Sequence, residues 1–113
     1  MFSGRALENK VAIVTGAGQG IGAGIARAYG AQAAKVAVVD WNQETAEQVA
    51  QSIRAAGGQA AAFKCDVADR AAVDAMVAAT VAKFGPVEVL VNNAGITLDI
   101  TGKVYSKKLW ISN

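Results

Sequence analysis

Residues 10–24 read Lys-Val-Ala-Ile-Val-Thr-Gly-Ala-Gly-Gln-Gly-Ile-Gly-Ala-Gly, and this stretch decides the fold. The apolar, β-branched run at residues 11–14 predicts a strand, and the glycines after it predict a tight turn. A helical pattern begins directly afterwards. Because glycine has no Cβ to hold a ligand away, the backbone of such a loop can lie close to a phosphate. The N–H groups and positive dipole end of the following helix favour the same anion.

Length and composition exclude several classes of protein. A chain of 113 residues allows one domain with a modest core, and a net charge of +2 is too small to indicate a nucleic-acid partner. The absence of histidine excludes His-based catalytic triads and argues against an ordinary zinc site. The longest uncharged run, residues 11–26, contains five glycines, so we expect neither a signal peptide nor a membrane span. Cys65 has no internal disulfide partner, which fits a cytoplasmic location.

The composition changes abruptly at Ile96. All 25 alanines precede it, and the lysines after it supply the whole net charge of +2. We therefore expect a domain at residues 1–95 and a divergent tail at residues 96–113. The stretch 104–111 is compatible with an edge strand, a short helix or a disordered tail. Truncation of a longer protein, a shifted reading frame or non-native sequence would each explain such a break.

Apolar runs and helical patterns alternate through the first 91 residues. Strands are predicted at residues 11–15, 35–40, 59–64 and 87–91, and helices at about 20–32, from the cap Asn42 to Gly57, and from the cap Asp69 to Gly85. This β-α-β-α-β-α-β order predicts an α/β fold with a parallel, doubly wound sheet in which the first and fourth strands are neighbours. The expected buried face of the first helix comprises Ile21, Ile25, Ala28 and Tyr29. That of the third helix comprises Val73, Met76, Val77, Val81 and Phe84.

Four motifs follow the predicted strands. The spacing Thr15-Gly16-x-x-x-Gly20-x-Gly22 is more specific than the alanine-ended dinucleotide pattern that starts at Gly18. With Asp40, Asp66-Val67 and Asn92-Asn93-Ala94-Gly95, each at a strand end, the chain resembles the classical short-chain dehydrogenase/reductase family over residues of about 8–97. The resemblance implies a Rossmann-like fold, truncated here after the fourth strand, and a nicotinamide dinucleotide cofactor. A glycine-rich hairpin turn without a ligand is the alternative.

The resemblance assigns roles to the glycine loop and to the end of the second strand. Gly16 would permit the tight turn, and Gly20 and Gly22 would permit close approach of pyrophosphate and close packing of helix on strand. Asp40 would accept the ribose hydroxyls of NAD and repel the 2′-phosphate of NADP, although a solvated strand-end carboxylate is the alternative. The remaining members of this set are Gln19 and Trp41, which occupy places where NADP-preferring relatives carry basic residues, and Ile21, at the helix N-terminus. Trp41 either flanks the adenine or packs on the surface.

The third and fourth strand ends complete the expected cofactor site. Asp66 and Val67 match the family's adenine contact, although Asp66 alternatively caps the turn before the third helix. The resemblance places Asn93, Ala94 and Gly95 beside the cofactor ribose. No catalytic or metal-binding residue is predicted, and NAD is expected in preference to NADP.

The family's catalytic groups are missing from these 113 residues. Hydride transfer in the family uses a serine and a Tyr-x-x-x-Lys motif beyond the fourth strand. Here Tyr105 is followed four residues later by Leu109, and Lys108 has the wrong spacing. The first hypothesis is therefore the NAD-binding portion of an alcohol or ketone oxidoreductase that is inactive as an isolated chain, with a relation to 3-oxoacyl reductases as one option.

Two other hypotheses remain open. The chain could be a non-catalytic module that binds NAD or an adenine nucleotide, or docks onto a partner. The edge of the fourth strand would invite pairing with the tail or with a second copy, giving a homo-oligomer. Alternatively, the chain folds poorly and has no activity.

Overall fold

The protein is a parallel α/β sheet flanked by helices. A computed structural model describes residues 7–94 and the strand at residues 110–112. The strands are β1 Val11–Thr15, β2 Lys35–Asp40, β3 Gln59–Lys64, β4 Val89–Asn92 and β5 Trp110–Ser112; the helices are α1 Gly20–Ala31, α2 Gln43–Ala55 and α3 Arg70–Phe84. The predicted α/β, Rossmann-like architecture is confirmed. Gly95, Tyr105, Lys108 and Leu109 lie outside the described residues.

Strand order places β1 in the middle of the sheet. The order is β3-β2-β1-β4-β5, and every neighbouring pair is parallel. At the end of β1, Thr15 is in register with Val39 of β2 and with Asn92 of β4. The chain therefore winds away from β1 in both directions, as expected from right-handed crossovers. The carboxyl end of β1 is the switch point at which such sheets bind ligands.

Helices cover both faces of the sheet. One apolar cluster joins the strand residues Val14, Val36 and Val38 to residues of α1 and α2. The other joins Ile13, Val39 and Leu90 to residues of α3. Strands buried on both faces are continuously apolar, which explains why β1 and β2 lack alternation. Within the described residues, we find no helix with the length and apolar character that crossing a membrane requires.

The predicted buried face of α1 is half right. Ile25 and Tyr29 are half-buried and pack against the core as expected, but Ile21 is 69% exposed and Ala28 is also exposed. The fully buried positions of α1 are small residues: Gly22, Ala23, Ala26 and Gly30. A Cβ on Gly30 would lie 2.6 Å from Cγ2 of Ile53 in α2. Because α1 packs so closely, glycine and alanine fit its inner face better than the large residues that the pattern favoured.

The predicted stripe of α3 is partly wrong. Val73 and Met76 are buried as expected, but Val81 is 42% exposed. Its neighbour Thr80 is fully buried, and the Thr80 hydroxyl donates to the carbonyl of Met76 at 2.9 Å. A threonine whose hydroxyl bonds one turn back along the helix can occupy a core position without an unpaired polar group.

The end of α1 contains a residue with a left-handed backbone. Ala33 has φ +68°, and its N–H donates to the carbonyl of Gly30 at 3.0 Å. The N–H of Ala34 donates to the carbonyl of Tyr29 at 3.1 Å. Alanine thus occupies the position where helices usually place glycine.

The edge of β4 is paired within the chain itself. β4 spans Val89–Asn92 rather than the predicted 87–91, although the N–H of Glu88 still donates to the carbonyl of Val11 at 2.9 Å. Leu90, Val91 and Asn92 are in register with the three residues of β5. Of the three conformations considered for the tail, an edge strand is the one that residues 110–112 adopt.

Candidate functional site

A cleft of about 440 Å³ lies at the carboxyl ends of the strands. It brings together residues from the glycine loop and from the ends of β2, β3 and β4. The lining residues are Gly16, Asp40, Trp41, Lys64, Cys65, Asp66, Val67 and Ala94. Six of these were predicted from the sequence. Lys64 and Cys65 were not, because their places in the cleft depend on β3 lying beside β2.

The glycines of the loop serve different purposes. Gly16 and Gly20 have φ values of +62° and +61°, a left-handed conformation that costs free energy for an L-residue with a side chain. A Cβ on Gly20 would meet no atom within 4 Å, so the surface at this point is open. A Cβ on Gly22 would lie 2.1 Å from the carbonyl oxygen of Gly16. Gly22 therefore serves close packing, whereas Gly20 leaves bare backbone at the surface.

The N-terminus of α1 carries no internal anion. Gln19 is the N-cap residue, with an extended backbone and no capping hydrogen bond from its side chain, and the first turn contains no acidic residue. Gln19 and Ile21 are exposed. The N–H groups and dipole of α1 are thus available to an external anion beside the open surface at Gly20.

Asp40 is held in place by two backbone donors. Its side chain Oδ2 accepts from the N–H of Gly18 at 2.9 Å, and Oδ1 accepts from the N–H of Asn42 at 3.0 Å. The residue is only 7% exposed, so it is not a solvated strand-end carboxylate. Since a carboxylate offers about four acceptor positions, it retains capacity for two further donors. A Cβ on Gly18 would lie 2.3 Å from Oγ1 of Thr45, which explains the glycine at this position.

Trp41, Asp66 and Val67 also line the cleft. Trp41 is 73% exposed, and Val67 is half-buried. Oδ1 of Asp66 accepts from the N–H of Ala68 at 3.0 Å. Asp66 thus caps the turn before α3, which was the alternative to a contact with adenine, and it also lines the cleft.

A threonine that the sequence prediction left without a role joins β1 to the end of β4. The buried hydroxyl of Thr15 donates to Oδ1 of Asn92 at 3.0 Å. The hydroxyl oxygen of Thr15 in turn accepts from the N–H groups of Asn93 at 3.1 Å and Ala94 at 3.3 Å. Nδ2 of Asn93 donates to the carbonyl of Gly16 at 3.2 Å. The side chain of Asn93 therefore positions the glycine loop, and among the described residues of this turn Ala94 lines the cleft.

Cys65 is buried at the floor of the cleft. Burial raises the pKa of its thiol above the ordinary value of 9.0, and the negative charges of Asp66 and Asp69 raise it further. The thiol is therefore protonated at neutral pH and is a poor nucleophile.

Comparison with known proteins identifies the family. The model of the short chain dehydrogenase family matches residues 10–112. The chain belongs to this family. The match extends past residue 97, where the resemblance described above ends. The chain corresponds to the amino-terminal, cofactor-binding part of its relatives.

Two curated relatives illustrate the extent of the match. The chain is 44% identical over 95 residues to 2,3-dihydro-2,3-dihydroxybenzoate dehydrogenase of Bacillus subtilis, covering 84% of this chain and 36% of the relative. It is 44% identical over 106 residues to D-threitol dehydrogenase of Mycolicibacterium smegmatis, covering 94% of this chain and 41% of the relative. The short-chain dehydrogenase chain thus spans 36–41% of the length of these relatives.

Solved structures of the family carry either nicotinamide cofactor. A 7α-hydroxysteroid dehydrogenase complexed with NADH and 7-oxo glycochenodeoxycholic acid matches with a TM-score of 0.78 and 39% identity, over 82% of this chain and 37% of that one. A metagenomic short-chain oxidoreductase in complex with NADP matches with a TM-score of 0.75 and 42% identity, over 80% of this chain and 41% of that one. Structural neighbours of this chain therefore bind NAD or NADP.

Proposed function

We propose that this chain binds NAD in the cleft at the carboxyl ends of the strands, as the cofactor-binding portion of an oxidoreductase that acts on an alcohol or ketone. The observation that carries the proposal is the position of Asp40, which lies in the same cleft as Gly16 and Ala94 and is fixed by the N–H of Gly18. The bound dinucleotide would accept or supply a hydride. The domain for this role is residues 1–95.

The arrangement of the loop fits a dinucleotide. The open surface at Gly20 and the uncapped N-terminus of α1 suit a pyrophosphate, because the first N–H groups of a helix have no acceptor within the helix. Gln19, Ile21 and Gly22 would lie along the pyrophosphate. In the same cleft, Trp41, Asp66 and Val67 suit an adenine ring. Asn93, Ala94 and Gly95 would lie beside the ribose.

Preference for NAD over NADP follows from Asp40. Its carboxylate can accept hydrogen bonds from both hydroxyls of the adenosine ribose. A 2′-phosphate at the same place would put two anions in contact, at a cost in binding free energy. Gln19 and Trp41 supply no positive charge to offset this repulsion.

We expect the 113-residue chain to have no dehydrogenase activity above background. It contains no Tyr-x-x-x-Lys motif of the kind that the family uses for proton transfer. A relation to 3-oxoacyl reductases is one option for the oxidoreductase to which this portion belongs. The single buried cysteine agrees with a cytoplasmic protein.

A non-catalytic module that binds NAD or docks onto a partner is the second candidate. It accounts equally for the lack of a Tyr-x-x-x-Lys motif, because binding a dinucleotide requires no proton-transfer group. The pairing of β4 with β5 leaves less of the sheet edge for a homo-oligomer than the sequence suggested.

Titration of the folded chain with NAD in a calorimeter tests the proposal. We expect saturable binding, with NADP binding more weakly. A chain that unfolds cooperatively yet binds neither dinucleotide would rule out the proposed function. An assay with simple alcohols and ketones then checks the lack of activity that both candidates predict, and turnover by the chain alone would contradict it.

A further inference from the structure

Lys64 places a positive charge in the cleft at a point that the sequence did not reveal. It is the last residue of β3, it is exposed, and it lines the cleft with Asp40 and Trp41. Within the described part of the chain, Lys64 takes part in none of the ion pairs. Its ammonium group is therefore available to a ligand.

The sheet directs Lys64 and Asp40 to the same side. The two residues are in register in the parallel pair β2–β3. Registered residues on neighbouring strands project from the same face of a sheet. Val36, Val38 and Ala60 at alternate positions pack against α1 and α2, so Asp40 and Lys64 belong to that face too. Asp40 uses it to reach Gly18 in the glycine loop.

The carboxylate of Asp40 is fixed in place, whereas the ammonium group of Lys64 is free to move. Asp40 is buried and fixed by two N–H groups, so it cannot turn away from an approaching anion. Lys64 carries its charge on a flexible four-carbon chain and is exposed. Among the described residues that line the cleft, Asp40 and Asp66 are negative and Lys64 is the positive one. Within this described set, Lys64 is therefore the residue that can offset the repulsion between Asp40 and a phosphate.

We propose that Lys64 is a specificity-determining residue that pairs with a phosphate on the adenosine ribose and so allows NADP to bind beside Asp40. This inference rests on the proposed dinucleotide function. It adds that the preference for NAD over NADP is small, because Lys64 partly compensates for the charge of Asp40. NAD carries no phosphate at the ribose 2′ position, so Lys64 contributes little to its binding. The protein then binds both cofactors, with NAD favoured by a modest factor.

Calorimetric titration of three variants with NAD and NADP tests this role. Lys64→Met removes the charge and keeps the length of the side chain. We expect it to weaken NADP binding about three- to tenfold, the range for an exposed charge pair that involves a dianionic phosphate, and to change NAD binding less than about twofold. Lys64→Arg should retain NADP binding. The loss in Lys64→Met should shrink at high salt, since salt screens exposed charges.

Lys35→Met is the matched control. Lys35 is the first residue of β2, at the opposite end of the sheet, so Lys35→Met makes the same change in net charge far from the cleft. This variant should shift the affinities for NAD and NADP equally and by less than about twofold, because salt screens charges that lie far from the ligand. Equal effects of Lys64→Met on both cofactors, or no detectable NADP binding by the wild type, would overturn the role of Lys64 alone. Binding of neither cofactor by the folded wild type would overturn the proposed function as well.

Discussion

Oδ2 of Asp40 accepts a hydrogen bond from the N–H of Gly18 at 2.9 Å, so the end of β2 holds the glycine loop that follows β1. The second oxygen accepts from Asn42, which begins the turn into α2. One carboxylate thus connects the loop proposed for pyrophosphate with the strand end proposed for ribose. Changes at this residue should affect both the fold and the choice of cofactor.

Replacement of Asp40 by alanine should weaken NAD binding more than NADP binding. The variant loses the acceptor for ribose hydroxyls but also the charge that repels a 2′-phosphate. It should also lower the free energy of unfolding by about 1–3 kcal/mol, because two N–H groups lose their acceptor. Asp40→Asn, which keeps one carbonyl oxygen, should lose less stability. Calorimetry and urea unfolding measure the two effects, and an equal loss of affinity for both cofactors would contradict the role of Asp40.

Replacement of Gly22 by alanine should destabilise the protein by about 1–3 kcal/mol, since the added methyl meets the carbonyl oxygen of Gly16 and the helix must shift. Gly24 provides the matched control on the same helix. A Cβ there would meet no atom within 4 Å, so Gly24→Ala should stabilise by about 0.5–1 kcal/mol through helix propensity. Urea unfolding of both variants checks the difference in sign. Equal effects would mean that Gly22 is not required for packing.

Much of the fold follows from the sequence, and the buried face of α1 shows where the prediction stops. Apolar runs that end at Thr15, Asp40 and Lys64 gave the bounds of the first three strands as the structure has them. The inner face of α1 is glycine and alanine, whose side chains carry little hydrophobic signal. Periodicity in large apolar residues therefore found Ile25 and Tyr29, which pack against the core, but missed the fully buried small residues and wrongly included Ile21.

Some residues of the candidate site could likewise be predicted from the sequence and others could not. Asp40 and Gly16 were predicted because their motifs are local in the sequence. Thr15, Lys64 and Cys65 depend on contacts between strands, and their roles appear only once the register of β1 with β4 and of β2 with β3 is known. The sequence did contain one indication for Thr15: it is the single polar residue at the end of an otherwise apolar strand, and a buried polar side chain needs a hydrogen-bond partner.

Replacement of Thr15 by valine should lower the free energy of unfolding by about 1–3 kcal/mol, because the N–H groups of Asn93 and Ala94 lose their common acceptor. Valine matches threonine in shape, so the loss reports the hydroxyl. Amide hydrogen exchange should speed up at Asn93 and Ala94. Thr15→Ser keeps the hydroxyl and should retain slow exchange at both amides. Fast exchange in the serine variant would show that the methyl group, rather than the hydroxyl, orders this turn.

Replacement of Ala33 by glycine should stabilise the protein by about 0.5–1 kcal/mol. The left-handed backbone at φ +68° costs an L-residue roughly 1–2 kcal/mol, and the greater freedom of glycine in the unfolded chain offsets about 0.4–1 kcal/mol of the gain. Ala31→Gly, inside the last turn of α1, should instead destabilise by about 1 kcal/mol. Thermal unfolding of the pair measures the contrast. A loss of stability in both variants would show that Ala33 is not strained.

Titration of Cys65 should make the folded state less stable at alkaline pH. Burial raises the pKa of the folded thiol above its ordinary value of 9.0, so the folded state binds the proton more tightly than the unfolded state does. The contribution of Cys65 is therefore complete below the ordinary pKa and is lost as pH rises through the raised pKa of the folded state. Cys65→Ala has no thiol to titrate, and the difference between its pH profile of unfolding free energy and that of the wild type isolates the effect from lysine and tyrosine titration. The same burial predicts slow alkylation by iodoacetamide in the folded protein and fast alkylation in urea. Parallel profiles for the two proteins above pH 9.0, together with fast alkylation of the folded wild type, would show that the thiol is not held protonated by its surroundings.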